Sequence, residues 1–372
     1  MLHPWKDISQ KKWLDWRWQF KNRVNDLAGL GHFLKKSASG GELTFAPGYK
    51  KVTQTYRFAA TPYYLSLIDW DDRKDPIRLQ CIPDPRELSF KDTQSSDDPL
   101  CEEEHMPVKG LIHRYPDRAL MLLSNTCAAY CRHCNRKRYW SRPEGPLKKD
   151  ELEHIYLYLN GAKSVREVLL SGGDPLLMNL KALEEILKEL RKISHIEVIR
   201  IGTRLPVTLP MRITPRLSKM LRKYRPIWVN THFNHPKEIT REAEAACDML
   251  ISSGLPVSNQ TVLLKGVNDS LETIMKLCQG LQKIMVRPYY LFHCDMVRGT
   301  DHFRTRVSKG IEIMEGLWGR TGGLTIPNYV VDLPQGGGKA RAVPSHIVSM
   351  NENEVVFQTM EGKMVKYHEC DE

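Results

Sequence analysis

The chain has 372 residues, of which 27% are charged and 41% hydrophobic, a composition typical of soluble globular proteins and not of disordered or fibrous ones. No uncharged apolar run approaches the roughly 20 residues of a membrane helix, and the N-terminus has no apolar signal-peptide core, so we expect a cytoplasmic protein with no membrane partner. The net charge of +11 comes from cations that largely alternate with acids, which favours solvated helix faces over a nucleic-acid surface.

The first region, residues 1–105, is predicted to be a largely helical N-terminal extension. Its Trp-rich stretch 13–24 has the composition of a packed helix, and its polar stretch 91–105 is typical of a linker or a surface excursion.

The second region, residues 106–325, alternates short apolar runs with amphipathic segments. The apolar runs predict strands at 119–124, 167–172, 196–203, 227–233, 257–264 and 286–292. The amphipathic segments predict helices at 149–162, 179–193, 214–224, 238–254 and 270–284, with N-caps at Asn179, Thr214 and Ser270 and a C-cap at Gly254. Six strand–helix units predict a parallel α/β fold. Since no pyrophosphate fingerprint follows the first strand, we favour a partial (β/α)6 barrel over a Rossmann fold.

The third region, residues 326–372, contains the segment VVDLPQGGGKA and then an alternating pattern that predicts a hairpin turning near Glu361–Gly362. The three glycines before Lys339 do not fit a phosphate-binding P-loop, which places its lysine differently. Two interpretations stay open for this segment. It is either a flexible linker or a flexible backbone that presents Lys339 as a free amine for a Schiff base with pyridoxal phosphate (PLP).

Cys127, Cys131 and Cys134 lie within eight residues, directly after the first predicted strand of the core. Thiolates at this spacing can hold zinc or an iron–sulfur cluster, but structural zinc usually takes four ligands, and His133 between two of the cysteines would tend to point elsewhere. Three thiolates on a cubane cluster leave one iron open for a small molecule. The carboxyl ends of parallel strands are where active sites of such folds collect. Structural cysteines and structural zinc are the weaker alternatives.

The segment CAAYCRHC resembles the CxxxCxxC motif of radical S-adenosylmethionine (SAM) enzymes, whose three cysteines hold a [4Fe-4S] cluster. The resemblance implies that the open iron binds SAM and that His133 lies against its adenine. The segment SGGDP, at the end of the second strand, resembles the motif that meets the SAM amino group, which implicates Gly172, Gly173 and Asp174.

Ordered segments along nearly the whole chain resemble the lysine 2,3-aminomutase family. They include TPYYLSLID, HRYPDR, CRHCNRK, LLSGGDPLL, RIGTRLPV, NTHFNHP, RPYYLFHCD and VVDLPQGGGK. The resemblance implies reductive cleavage of SAM to a 5′-deoxyadenosyl radical, removal of hydrogen from Cβ of lysine bound to PLP, and migration of nitrogen from Cα to Cβ to give β-lysine. We also expect a flavodoxin- or ferredoxin-type reductant and a homo-oligomer.

The same resemblance assigns individual residues. Lys339 matches the lysine that binds PLP, and Arg136 matches the arginine that holds the substrate carboxylate. The PLP phosphate contacts match Arg114, Tyr115 and Arg118, and the pair that receives the distal ammonium of lysine matches Asp295 and Asp332. Because both aspartates are present, a cationic substrate is favoured. Lysine is the first choice, and arginine remains open because a guanidinium could use the same pair.

The sequence also departs from the family. Ser270 stands where some relatives have a zinc-binding cysteine, and Cys370 is alone near the C-terminus, so no structural zinc is expected. Gln335 and Pro175 replace residues more common in relatives and could reshape the pocket. Lys137 and Arg138 are interpreted as a charged surface turn. A distant alternative is a metal-cluster protein that binds nucleic acid through NRKRYW.

Overall fold

The computed structural model describes residues 5–34, 47–89, 95–351, 353–359 and 361–368. Its centre is a nine-stranded sheet in which neighbours in the sequence are neighbours in the sheet. The strands are β1 Leu111–Tyr115, β2 Arg118–Ser124, β3 Glu167–Gly172, β4 Val198–Gly202, β5 Ile227–Thr231, β6 Val257–Leu263, β7 Arg287–His293, β8 Asn328–Leu333 and β9 Gly338–Arg341. Three further strands form a separate antiparallel sheet: β10 Ile347–Met350, β11 Glu354–Gln358 and β12 Met364–His368.

The six predicted strands correspond to β2 through β7, and adjacent members all pair in parallel. Strand β8 adds a further parallel member that the sequence analysis did not assign, while β1 and β9 pair antiparallel at the two edges. The two edge strands do not pair with each other, so the sheet stays open. This arrangement confirms the α/β partial barrel.

The helices are α1 Gln10–Trp13, α2 Trp16–Lys21, α3 Leu27–Leu34, α4 Pro47–Thr55, α5 Pro62–Ser66, α6 Pro76–Cys81, α7 Lys149–Gly161, α8 Leu180–Lys192, α9 Leu205–Thr208, α10 Pro215–Arg222, α11 Arg241–Ser252, α12 Leu271–Lys283 and α13 Val307–Leu317. Each predicted N-cap side chain accepts a backbone N–H of its own helix, from Lys181, Leu217 and Thr273. In the part of the chain that the structure covers, no helix is long and apolar enough to cross a membrane.

Side chains alternate along each strand, so the sheet has one apolar face and one polar face. One row of facing residues is apolar and buried: Met121, Leu170, Ile201, Val229 and Val257. The next row carries Ser171, Gly202, Asn230 and Ser258, and it faces the inside of the barrel. Because successive side chains of a strand point to opposite faces, helices cover the first row and the second is left to line a cavity.

Two predicted helices differ from the structure. The Trp-rich stretch is two helices, α1 and α2, because the Asp15 side chain accepts from Arg17 N and starts a new helix there. Helix α11 begins at Arg241 rather than 238, because Pro236–Glu238 forms a separate turn and Thr240 caps the helix. The predicted C-cap Gly254 has a φ of +73°, the left-handed conformation that glycine adopts most readily.

The C-terminal hairpin is confirmed. Strands β11 and β12 pair antiparallel, and Gly362, with a φ of +80°, donates its N–H to the Thr359 carbonyl within the connecting turn. The left-handed backbone at that position explains why the turn falls there.

Candidate active site

A cavity of about 690 Å³ fills the open barrel. Every site residue predicted from the sequence lines it: Arg114, Tyr115, Arg118, Cys127, Cys131, His133, Cys134, Arg136, Gly172, Gly173, Asp174, Asp295, Asp332 and Lys339. These residues lie at 114–174, at 295 and at 332–339, so the fold brings distant parts of the chain together in one cavity.

The cysteine loop follows β2 at the carboxyl edge of the sheet. Between the cysteines, Ala128, Ala129 and Tyr130 are buried and anchor the loop in the apolar core. The loop backbone also bonds to the N-terminal extension, where Tyr130 N donates to the Ala59 carbonyl at 3.0 Å. Consequently the three thiols face the cavity while the intervening side chains hold the loop in place.

The donor set of this loop suits a cluster better than a single ion. Within the described residues, no group of three or more His, Cys, Asp and Glu side chains is arranged to hold one metal ion. A cubane of four irons and four sulfurs is wider than an ion and is bound by thiolates that stand further apart. Burial, followed by the neighbouring Cys131 thiol, raises the pKa of Cys134 to about 11, and bound iron would reverse this by stabilising the thiolate.

Gly172 and Gly173 let strand β3 approach the cysteine loop closely. A Cβ on Gly172 would overlap the Ser124 carbonyl oxygen, and one on Gly173 would come within 2.6 Å of Thr126 N. The Gly173 and Asp174 amides also bond to the Ser124 and Thr126 carbonyls. The glycines therefore position the loop that carries Cys127, in addition to lining the cavity.

Asp174 is buried, and its carboxylate already has several partners. The Thr203 hydroxyl lies 2.8 Å from both oxygens, and the backbone N–H groups of Arg204 and Leu176 donate to them at 2.8 and 3.2 Å. Burial raises the pKa of Asp174 to about 6. In this arrangement Asp174 fixes the loop after β4 at the cavity wall.

His133 lies deep in the same wall. Its Nε2 is 3.3 Å from the Asn234 side-chain nitrogen, and Phe303 meets the ring edge-on. Its Nδ1 has no protein partner among the described residues although the atom is buried. A buried ring nitrogen without a partner is a polar atom to which a bound molecule could hydrogen-bond.

Arg204 is a site residue that the sequence analysis did not single out. Its guanidinium is buried and donates to Cys131 Sγ at 2.7 Å and to Glu238 Oε1 at 2.8 Å. The sequence did contain a signal, because Arg204 lies two residues after strand β4, at the edge of the sheet where the cysteine loop also lies. The segment RIGTRLPV contributed only to the family resemblance.

The interpretation of Lys137 and Arg138 as a charged surface turn is wrong. Lys137 is buried and donates to Glu87 at 2.8 Å, and the Arg138 side chain, 9% exposed, bonds to Glu102 at 2.7 Å. Glu87 also pairs with Arg132, and both of these side chains are fully buried. Carboxylates from the N-terminal extension thus neutralise the basic run, which leaves it unsuited to bind nucleic-acid phosphates.

We expect replacement of Glu87 by Ala to lower the free energy of unfolding by about 3–5 kcal/mol, because two buried cations lose their counter-ion. The cationic neighbours already hold the pKa of Glu87 below its usual range, despite the opposing effect of burial. The matched control is Glu103→Ala. Glu103 is 60% exposed and 3.7 Å from Arg138, so its loss should cost no more than about 1 kcal/mol. Equal losses in urea unfolding would contradict this assignment.

Arg136 reaches the cavity with one edge already occupied. Its Nε and Nη2 donate to the buried Glu102 carboxylate at 3.1 and 2.6 Å, while Nη1 points to Ser171 Oγ at 3.4 Å. Glu102 lies in the stretch 91–105, which the sequence predicted to be a linker or a surface excursion. That prediction is wrong for Glu102, because this residue is buried. The Nη1 side of Arg136 therefore remains for an anionic ligand.

Lys339 lies in an ordered hairpin rather than in a flexible linker. Its turn uses left-handed backbone at Gln335, Gly336 and Gly338, with φ values of +55°, +72° and +85°. Across strands β8 and β9, Lys339 faces Asp332, and its Nζ donates to Asp332 Oδ1 at 3.0 Å. The glycines thus form the tight turn that returns Lys339 to the cavity.

A cationic cradle adjoins this lysine. Arg114 and Tyr115 at the end of β1 lie beside Gly338, whose added Cβ would lie 3.9 Å from both Arg114 Nη2 and Tyr115 Oη. Those two atoms are buried and have no partner among the described residues. The Arg118 guanidinium, at the start of β2, lies 4.0 Å from the centre of the Tyr115 ring. Two unpartnered donors, an arginine and a glycine without a side chain suit a phosphate group.

Asp295 lies near Asp332 and completes an acidic pair beside Lys339. Burial, followed by the charge of Asp332, raises the pKa of Asp295 to about 7, although Lys339 and a hydrogen bond from Asn135 act in the opposite direction. The Lys339 ammonium donates a hydrogen bond to one of these carboxylates, Asp332.

Comparisons with known proteins show which family the chain belongs to. A family model described as "Radical SAM superfamily" matches residues 121–278, and one described as "Lysine-2,3-aminomutase" matches residues 314–372. L-lysine 2,3-aminomutase of Acetoanaerobium sticklandii is 46% identical over 98% of this chain and 86% of its own length. The Fusobacterium nucleatum enzyme of the same name is 47% identical over 98% and 84%. Glutamate 2,3-aminomutase of Clostridioides difficile is 42% identical over 96% and 83%. The chain therefore belongs to the lysine 2,3-aminomutase family of radical SAM isomerases.

Proposed function

We propose that this protein interconverts L-lysine and β-lysine as a radical SAM, PLP-dependent 2,3-aminomutase. The observation that carries the proposal is the acidic pair Asp295 and Asp332, of which Asp332 binds the Lys339 ammonium inside the cavity that the three cysteines also line. A site that stabilises one alkylammonium is suited to the side chain of lysine.

The residues present fit the implied cofactors. Cys127, Cys131 and Cys134 would hold the cluster, and the unpartnered Arg114 and Tyr115 atoms with Arg118 would hold the PLP phosphate. When bound, the cluster with SAM supplies a hydrogen-abstracting radical and PLP supplies a conjugated ring on which the migrating nitrogen is held.

Lys339 and Asp332 work in opposition. In the structure, Lys339 Nζ donates a hydrogen bond to Asp332 Oδ1 at 3.0 Å. A lysine that is to hold PLP must act as a neutral amine, so Nζ would give up this ion pair. Asp332 and Asp295 would then remain to bind the distal ammonium of the substrate.

Arg136 would fix the other end of the substrate. Because Glu102 occupies its Nε–Nη2 edge, the α-carboxylate would be held from the Nη1 side, next to Ser171. Glu102 also fixes the guanidinium plane, so the substrate would not have to order it.

Charge decides among amino acids with different side chains. Two carboxylates repel the side chain of glutamate, the substrate in the name of one relative, and attract lysine or arginine. The test is an anaerobic assay of cluster-loaded protein with dithionite, SAM, PLP and each of the three amino acids. We expect β-lysine as the main product; arginine turnover alone would assign the alternative substrate, and no product from any of them would contradict the proposal.

Lysine binding should strengthen as pH rises through about 7. Below this pH the proton on Asp295 leaves one carboxylate for the substrate ammonium, and above it both carboxylates are ionised. The KM for lysine should therefore fall across neutrality. The Asp295→Asn variant should bind lysine more weakly and lose this step, and a step that persists in the variant would assign it to another group.

Replacement of Gly173 by Ala should abolish retention of the cluster. The new Cβ would collide with the Thr126 backbone, and the strain could be relieved only by displacing the cysteine loop. Gly202→Ala is the matched control, since Gly202 lines the same cavity but its Cβ would meet neighbours at 3.8 Å. Iron content per chain measures both, and equal iron in the two variants would contradict the positioning role of Gly173.

A further inference from the structure

The Arg204 guanidinium is a buried cation that touches a proposed cluster ligand. Its Nη1 lies 2.7 Å from Cys131 Sγ, and Arg204 is only 8% exposed. For comparison, Cys134 Sγ accepts a backbone N–H, from Arg136 at 3.3 Å. The cysteine loop therefore has one sulfur that accepts a hydrogen bond from a full positive charge.

This guanidinium is held in place from several directions. Its Nε donates to the His232 carbonyl at 3.1 Å, and its Nη2 donates to Tyr64 at 3.1 Å and to Gln80. The Arg204 backbone N–H is tied to Asp174. Such fixation means that the bond to Cys131 is a property of the folded chain and not of one rotamer among many.

Glu238 is the counter-charge of Arg204. It is fully buried, lies 2.8 Å from Arg204 Nη2, and accepts further bonds from Tyr64 and from the Asn234 amide. Tyr64 and Gln80 belong to the N-terminal extension, so the extension helps to place both charges beside the cysteine loop. The positive charge of Arg204 contacts the Cys131 sulfur, and the negative charge of Glu238 contacts Arg204.

Charges at such short range act strongly in a buried site, because little water screens them. A hydrogen bond or positive charge on a cluster sulfur favours the reduced, more negative cluster, and a nearby negative charge disfavours it. Arg204 and Glu238 should therefore shift the reduction potential in opposite directions.

We propose that Arg204 is a positioning residue that raises the reduction potential of the cluster through its bond to Cys131, and that Glu238 limits this effect. The inference rests on the proposed function only in requiring a cluster on Cys127, Cys131 and Cys134. It assigns to the Arg204–Glu238 pair the control of how readily the protein accepts its electron from an external donor.

The test is a redox titration of the cluster followed by electron paramagnetic resonance, on protein with matched iron content. Arg204→Gln should lower the potential by at least the equivalent of a tenfold change in the ratio of reduced to oxidised cluster, which is about 59 mV for one electron. Glu238→Gln should raise it. Tyr64→Phe removes a neutral hydrogen bond to the same two groups and should leave the potential close to wild type.

Opposite shifts in the two charge variants support the proposal, because a merely structural role would move both in the same direction. Shifts of the same sign, or none, would overturn it. If Arg204→Gln assembles no cluster, the Glu238→Gln protein decides alone: an upward shift supports the proposal and any other result contradicts it. A wild-type protein that binds no cluster would instead disprove the proposed function.

Discussion

Lys339→Ala protein should bind no PLP covalently and should have no measurable aminomutase activity. The loss should exceed the roughly 10²–10⁴-fold effect of removing a single general acid or base, because the residue that retains the ring would be absent. Among the described residues that line the cavity, Lys339 is the only lysine. The hairpin between β8 and β9 places its Nζ 5.9 Å from the centre of the Tyr115 ring and 5.5 Å from that of the Phe292 ring.

The measurement combines activity with mass spectrometry after borohydride reduction. Wild-type protein should carry the pyridoxyl mass on the peptide with Lys339, and the variant should not, while its iron content stays unchanged. Lys309→Ala, which removes an exposed lysine paired with Glu312, serves as the control and should behave as wild type. A pyridoxyl label on another lysine of the wild-type protein would refute the assignment.

Asp332→Asn should lower kcat/KM for lysine by roughly 30- to 5,000-fold. This corresponds to a loss of about 2–5 kcal/mol in transition-state stabilisation, the usual cost of removing one partner of a buried charge pair. The Asp332 side chain is only 7% exposed, so water cannot replace it. Because Asp332 also contacts Lys339, the variant could act through that lysine instead of the substrate.

Asp295→Asn separates these explanations. It removes the other carboxylate of the pair without breaking the hydrogen bond between Lys339 and Asp332. A comparable loss of lysine turnover in both variants, with PLP still bound to Lys339, assigns the pair to the substrate ammonium. Unchanged lysine kinetics in Asp295→Asn would contradict that role.

The sequence predicted the barrel well because its strands and helices are local patterns. Strands β2 to β7 were recognised from short apolar runs, and the caps Asn179, Thr214 and Ser270 from polar residues at the starts of amphipathic segments. Strand β8 was missed because its apolar run is short and leads directly into a glycine-rich turn. Its parallel pairing with β7 depends on a neighbour that is distant in sequence.

Partnerships between distant residues could not be predicted. The basic run after the cysteines has the pattern of a solvated turn, and nothing local indicates that Glu87 and Glu102 neutralise it from the N-terminal extension. The position of Arg204 after β4 could be read from the sequence, but its contact with Cys131 could not. Each predicted site residue was assigned from a family motif, whereas no motif indicates which distant partners hold these residues in place.

The most direct test of the proposed reaction uses lysine labelled with ¹⁵N at the α-amino group. Incubated anaerobically with cluster-loaded protein, dithionite, SAM and PLP, it should give β-lysine with the ¹⁵N bound to C3, since the nitrogen migrates within one molecule. Absence of β-lysine, or β-lysine in which the label has been exchanged for unlabelled nitrogen, would contradict the proposed function.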